Sequence, residues 1–110
     1  MEIADKAALL QAAFAVEHVE VPGKGAVKVR ALTRGEALKL HGVELDADEL
    51  ERKLLAQALL EPRLTEAEIG VWQDNSAAGE LQAVVEAVIR LSGMEQHALK
   101  AAVRQFREGT

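Results

Sequence analysis

The chain has 110 residues, a length suited to one ordinary domain that buries roughly two-thirds of the surface its unfolded form exposes. It contains no cysteine, which excludes disulfide scaffolds and thiolate metal sites and favours a cytosolic origin. Its net charge of −5 argues against broad nucleic-acid binding, where clustered Lys and Arg supply most of the affinity.

Read from the N-terminus, the segment MEIADK has an acidic start without the basic flank of a signal peptide. Ile3, Ala7, Leu10 and Phe14 recur at helical spacing and predict a first helix over about 3–13. The next run, VEHVEV, alternates with period two and predicts a strand. After a glycine-bearing turn, AVKVRAL alternates again, which makes a hairpin over about 16–32. Pairing residues whose numbers sum to 48 sets Val21 opposite Val27 and Val19 opposite Val29 on one face. The other face then holds Glu20 opposite Lys28 and His18 opposite Arg30. A sum of 47 would set Val19 against Lys28, and a one-residue slip turns the whole apolar set around. The favoured register leaves Gly23-Lys24-Gly25 as the loop, with Gly25 in a left-handed position that glycine fills without steric cost. An isolated hairpin is marginal in water, so its Val face is expected to pack on helices or to gain strands from another copy.

Thr33-Arg34-Gly35-Glu36 spells a capping box that opens a helix to about His41, with Gly42 as its stop. Asp46, with Glu49 after it, is expected to cap a longer helix whose stripe holds Leu50, Leu54, Leu55, Ala58 and Leu59, ended by Pro62. Thr65-Glu66-Ala67-Glu68 is a further box, opening a short helix through Ile69 and Trp72. Ser76 reads as the cap of a helix with Leu81, Val84, Val85 and Val88 inward, closed by Gly93. A last helix from about Met94 carries Leu99, Ala102, Val103 and Phe106 on one face. No run of about 18 apolar residues is present, so no membrane span is expected. The whole reads as an α+β, mostly helical single domain over 1–110, with five to six short helices and one N-terminal antiparallel β-hairpin. Aromatics make up only 3%, so the core is expected to be aliphatic, with Phe14, Trp72 and Phe106 as its large pieces.

Charge is unevenly placed. From Pro22 to Gly42, Lys24, Lys28, Arg30, Arg34 and Lys39 stand against Glu36 alone, a balance of +4. Glu44, Asp46, Asp48, Glu49 and Glu51 follow with no cation among them. Two solvated surfaces of opposite sign would account for this. So would head-to-tail contact between copies, in which Lys24, Lys28 and Arg30 meet the acidic helix start of a neighbour.

No set of residues has the spacing of a catalytic centre. His18, His41 and His97 fall on separate elements, none with a metal-ligand pattern. The acidic run from Asp46 has Glu51 where a calcium loop needs its sixth-position glycine. Ser76 and Ser92 lie at helix ends, and Gly23-Lys24-Gly25 lacks the phosphate-loop spacing. No cofactor or metal is expected, and function is to be sought in binding. Trp72 is either a core anchor or a partner-facing one, since tryptophan is enriched at interface hot spots. The stripe Leu99, Val103, Phe106 carries the same two alternatives.

The order of the pieces is distinctive: a Val-rich hairpin leading, within Val27–Glu36, to V-R-A-L-T-x-x-E, then L-x-x-x-L-L-E-P-R-L-T-E-A-E (Leu55–Glu68), then a helix ending L-S-G and a closing helix with Phe (Leu91–Phe106). This resembles the tail assembly chaperones of long-tailed bacteriophages and related prophages, over about Val19 to Phe106. The resemblance implies a non-enzymatic protein of the host bacterial cytoplasm. Such a protein binds and shields the long, helical, aggregation-prone tape measure protein, helps recruit tail tube protein, and does not remain in the virion. A small acidic domain with spare aliphatic faces suits reversible shielding of apolar helices. The expected partner contacts are Trp72, Leu99, Val103 and Phe106, with Lys24, Lys28 and Arg30 for self-association in a homo-oligomer. Two other classes compete: a structural tail or head-completion component retained in the particle, and a small regulatory adaptor of antitoxin type.

Overall fold

In the computed structural model, which describes residues 2–12 and 14–93, the alternating Val runs form strands β1 (Val16–Val21) and β2 (Gly25–Arg30), paired antiparallel. The apolar set occupies its expected face, but partner numbers sum to 46 rather than 48. Val19 stands opposite Val27, Val21 opposite Gly25, His18 opposite Lys28 and Glu20 opposite Ala26. The expected Glu20–Lys28 and His18–Arg30 pairs are therefore not made. The turn is the reason. Lys24 N–H donates to the Val21 carbonyl at 2.9 Å, with Pro22 second in the turn and Gly23 third at φ +78. That is the type II pattern, in which proline pre-sets the second residue and glycine takes the positive φ. The loop is thus Pro22-Gly23-Lys24.

A second difference follows at Leu59. The helix α3 (Ala47–Ala58) stops one residue earlier than its apolar stripe suggests, and Leu59–Glu61 forms a third strand, β3. It pairs antiparallel with β2, Val29 opposite Leu59 and Lys28 opposite Glu61, giving the sheet order β1-β2-β3. Glu61 precedes Pro62, and a residue before proline is pushed out of the helical region toward extended backbone.

Both threonine capping boxes form. Thr33 opens α2 (Arg34–His41): its hydroxyl accepts from Glu36 N–H at 3.0 Å while the Glu36 carboxylate accepts from Thr33 N–H at 2.8 Å. Thr65 does the same with Glu68 for α4 (Glu66–Asp74). Gly42 takes the C-cap of α2. Asp46 occupies the N-cap of α3, yet its side chain makes no cap hydrogen bond. The helix α5 (Glu80–Leu91) starts later than expected, with Gly79 at its N-cap, so Ser76 does not cap it. Ser92 instead fastens the far end of α5. Its hydroxyl donates to the Val88 carbonyl at 2.6 Å and accepts from Leu32 N–H at 2.8 Å.

The core is aliphatic. Leu55, Leu59, Ile69, Val29, Val84 and Val88 are fully buried, with α5 laid across β1 and β2. Among the described residues there are five helices and three strands, an α+β fold that is mostly helical. The first helix, α1 (Lys6–Leu10), is shorter than the spacing predicts and buries none of its residues. Ile3 is 97% and Leu10 76% exposed, and Phe14 lies half outside the core with the Arg30 guanidinium 5.2 Å from its ring centre. A five-residue helix cannot offset the cost of nucleation by itself, and α5 already covers the apolar face of the hairpin. The expected last helix, with Leu99, Val103 and Phe106, lies outside the described residues. Among the described residues, no helix is long and apolar enough to cross a membrane.

Candidate protein-binding site

The hairpin turn, the Pro62–Leu64 connection and one face of α4 meet around a shallow hollow. Val21, Gly25, Ala26, Val27, Pro62, Leu64 and Trp72 line it, with Lys24 at the rim, enclosing about 200 Å³. The type II turn sets its upper wall, because sliding the strands would move Ala26 and Val27 away from Trp72. The capping box at Thr65 sets its floor by fixing where α4 begins and hence where Trp72 falls.

Trp72 is half-buried and packs against the core. Its indole N–H donates to Glu80 Oε2 at 2.7 Å, and Lys24 Nζ reaches the same oxygen at 2.8 Å. Lys24 also lies 3.5 Å from the Ser76 hydroxyl. The Glu80 side chain is only 15% exposed, and the Lys24 ammonium, the Trp72 indole and Ser76 hold its carboxyl down to about 2. The hollow is thus a greasy wall on a pinned indole, with one cation beside it.

The remaining expected self-association residues are placed elsewhere. Arg30 makes a two-pronged pair with Glu36, both bonds at 2.8 Å, and also donates to the Ala31 carbonyl. Lys28 is half-buried on β2 opposite Glu61. Lys24 and Arg30 of the basic stretch thus each pair with a carboxylate of the same chain. Asp48 pairs with Arg52, and Gln73 donates to Glu51 at 2.9 Å. These last groups border a larger hollow of about 360 Å³ between α3 and α4, where Asp48, Glu51, Arg52 and Gln73 bond to one another. Among the described residues, no group of His, Asp and Glu could hold a metal ion.

Sequence reasoning brought Trp72 and Lys24 forward separately and missed Glu80, which joins them. No local spacing links Lys24 to Glu80, 56 positions apart. The Pro22-Gly23 pair, by contrast, was a readable turn signal that fixes the register. Compared with protein-family models, curated proteins and solved structures, the chain matches none.

Proposed function

We propose that this chain is a phage or prophage tail assembly chaperone, acting without chemistry in the bacterial cytoplasm to bind and shield the tape measure protein. The observation that carries the reading is the apolar hollow on Trp72. At about 200 Å³ it lies below the roughly 300–1,000 Å³ typical of small-molecule pockets. It suits an aliphatic side chain projecting from a partner helix, in the helix-in-groove mode. Trp72 supplies contact area at little entropic cost because its indole is already tied to Glu80. Lys24 at the rim offers a charge to an acidic residue flanking the apolar stripe of the partner. A net charge of −5 keeps a complex with a greasy partner dispersed.

Co-expression with a tape measure protein tests this reading. The partner is expected to become soluble and to co-purify. Trp72→Ala should reduce recovery several-fold, as truncating a hot-spot aromatic does. Ala26→Glu, on an exposed wall residue, places a charge in the hollow without removing a core group and should do the same. A partner left equally insoluble by the wild-type chain defeats the proposal. Stoichiometric recovery of the chain from purified particles would favour the retained tail component instead.

A further inference from the structure

Among the described residues, no strand pairs with the outer edge of β1. β1 is the terminal strand of the sheet, and its pairing with β2 runs through six consecutive residues without a bulge. The opposite edge is blunted: β3 is three residues long, is irregularly paired and leads into Pro62. Proteins usually guard an open edge with charged side chains, lysine above all, or with a proline, a bulge or a short strand. β1 has no lysine, proline or bulge, and of its two charges Glu17 is tied to Arg90, which leaves Glu20 as the charge on its exposed face.

Which groups face outward can be worked out. Ala31 N–H donates to the Ala15 carbonyl at 2.9 Å, so their pair is of the hydrogen-bonded kind. The kinds alternate along an antiparallel ladder, so Glu17, Val19 and Val21 also bond to β2. Val16, His18 and Glu20 then turn their N–H and C=O groups away from the sheet. All three side chains are exposed, and neither His18 nor Glu20 makes a hydrogen bond or ion pair among the described residues.

Two copies can pair edge to edge only in registers that match outward-facing residues with one another. A sum of 36 sets His18 against His18, and a sum of 40 sets Glu20 against Glu20. A sum of 38 sets His18 of each copy against Glu20 of the other, with Val19 on the two-fold axis. It also sets exposed Val16 against exposed Pro22 at both ends. An imidazole donates to a carboxylate whether charged or neutral, so this register is favoured over its neighbours by charge and by apolar contact alike.

We infer that the chain forms a two-fold dimer by antiparallel pairing of β1 with β1 of a second copy, in the register that faces His18 with Glu20. The sheet becomes six-stranded and both open β1 edges disappear. The surface is separate from the Trp72 hollow, so this inference stands or falls independently of the proposed function.

Sedimentation equilibrium and amide hydrogen exchange test it together. The wild-type chain should show a concentration-dependent dimer, with the amides of Val16, His18 and Glu20 gaining protection as the dimer fills. His18→Glu sets like charges opposite each other twice and should raise the dissociation constant about tenfold or more. Adding Glu20→Lys to that variant restores opposite charges and should restore the dimer. Both positions are exposed, and the wild-type exchange pattern needs no variant. A chain that stays monomeric into the millimolar range overturns the inference. So does a dimer unchanged by His18→Glu, or protection of these amides only when a different protein is added.

Discussion

The indole N–H of Trp72 lies 2.7 Å from Glu80 Oε2, bridging the last turn of α4 and the first turn of α5. Lys24 shares that oxygen from the hairpin turn, so one carboxylate holds three elements at the mouth of the apolar hollow. The acid depends on its donors: Lys24 first, then Trp72, then Ser76.

This geometry makes the junction pH-dependent in one direction. The Glu80 carboxyl titrates near about 2 in the folded chain against an ordinary value of 4.5. A depressed folded value means that the contribution is fully present above pH 4.5 and disappears as pH falls toward 2. Urea unfolding of wild type and Glu80→Gln should therefore show a stability gap that is widest at neutral pH and closes in acid. A gap of constant size from pH 7 to pH 2 would place the carboxylate outside this role. Trp72 is the only tryptophan, so its emission reports the same junction directly.

The hairpin turn gives a sharper contrast between glycines. Gly23 adopts φ +78, where any other L-residue is strained, so Gly23→Ala should cost about 1–2 kcal/mol. Gly35 lies in the first turn of α2, and a methyl group there would meet only the Thr33 hydroxyl at 3.9 Å. Gly35→Ala should stabilise by about 0.5–1 kcal/mol through helix propensity and reduced unfolded-state freedom. Chemical denaturation of the two variants should give opposite signs. Equal signs would mean that the turn is not the one described.

What the sequence disclosed follows the range of the forces involved. The boxes at Thr33 and Thr65 were legible because donor and acceptor sit three positions apart and need nothing else. The apolar face of the hairpin was legible because it depends only on the parity of Val19, Val21, Val27 and Val29. Register was not, because matching Val with Val ignored the stronger demand of Pro22-Gly23. β3 was hidden because Leu59 continues a helical stripe, and only its burial against β2 makes it a strand. At the candidate site, Trp72 could be singled out by type, but its tether to Glu80 exists only once α4 and α5 have folded back.

The unburied first helix yields a prediction of size. Leu10 and Leu55 are the same residue type at similar-looking apolar positions, yet Leu10 is 76% exposed and Leu55 fully buried. Leu55→Ala should cost about 2–5 kcal/mol, the transfer term plus the cavity left behind. Leu10→Ala should stay within about 0.5 kcal/mol. Comparable losses at both positions, read from urea midpoints, would show α1 packed on the body of the molecule.

Arg30 and Glu36 join the end of β2 to the first turn of α2 through two parallel bonds of 2.8 Å, and the Glu36 carboxylate also serves the capping box. The Arg30 guanidinium, with the Thr33 backbone, holds the Glu36 carboxyl down to about 2 from an ordinary 4.5. Lysine keeps the charge but offers a single point of contact in place of the planar fork, and it loses the stacking on Phe14. Arg30→Lys should therefore destabilise the chain by about 1 kcal/mol at neutral pH, a value set by hydrogen-bond geometry rather than by net charge. Because the folded acid is depressed, the penalty is present above pH 4.5 and shrinks as pH falls toward 2. Thermal unfolding of Arg30→Lys and Arg30→Gln at both ends of that range separates the two contributions. If the fork matters, the lysine variant falls close to the glutamine variant; if charge alone matters, it stays close to wild type.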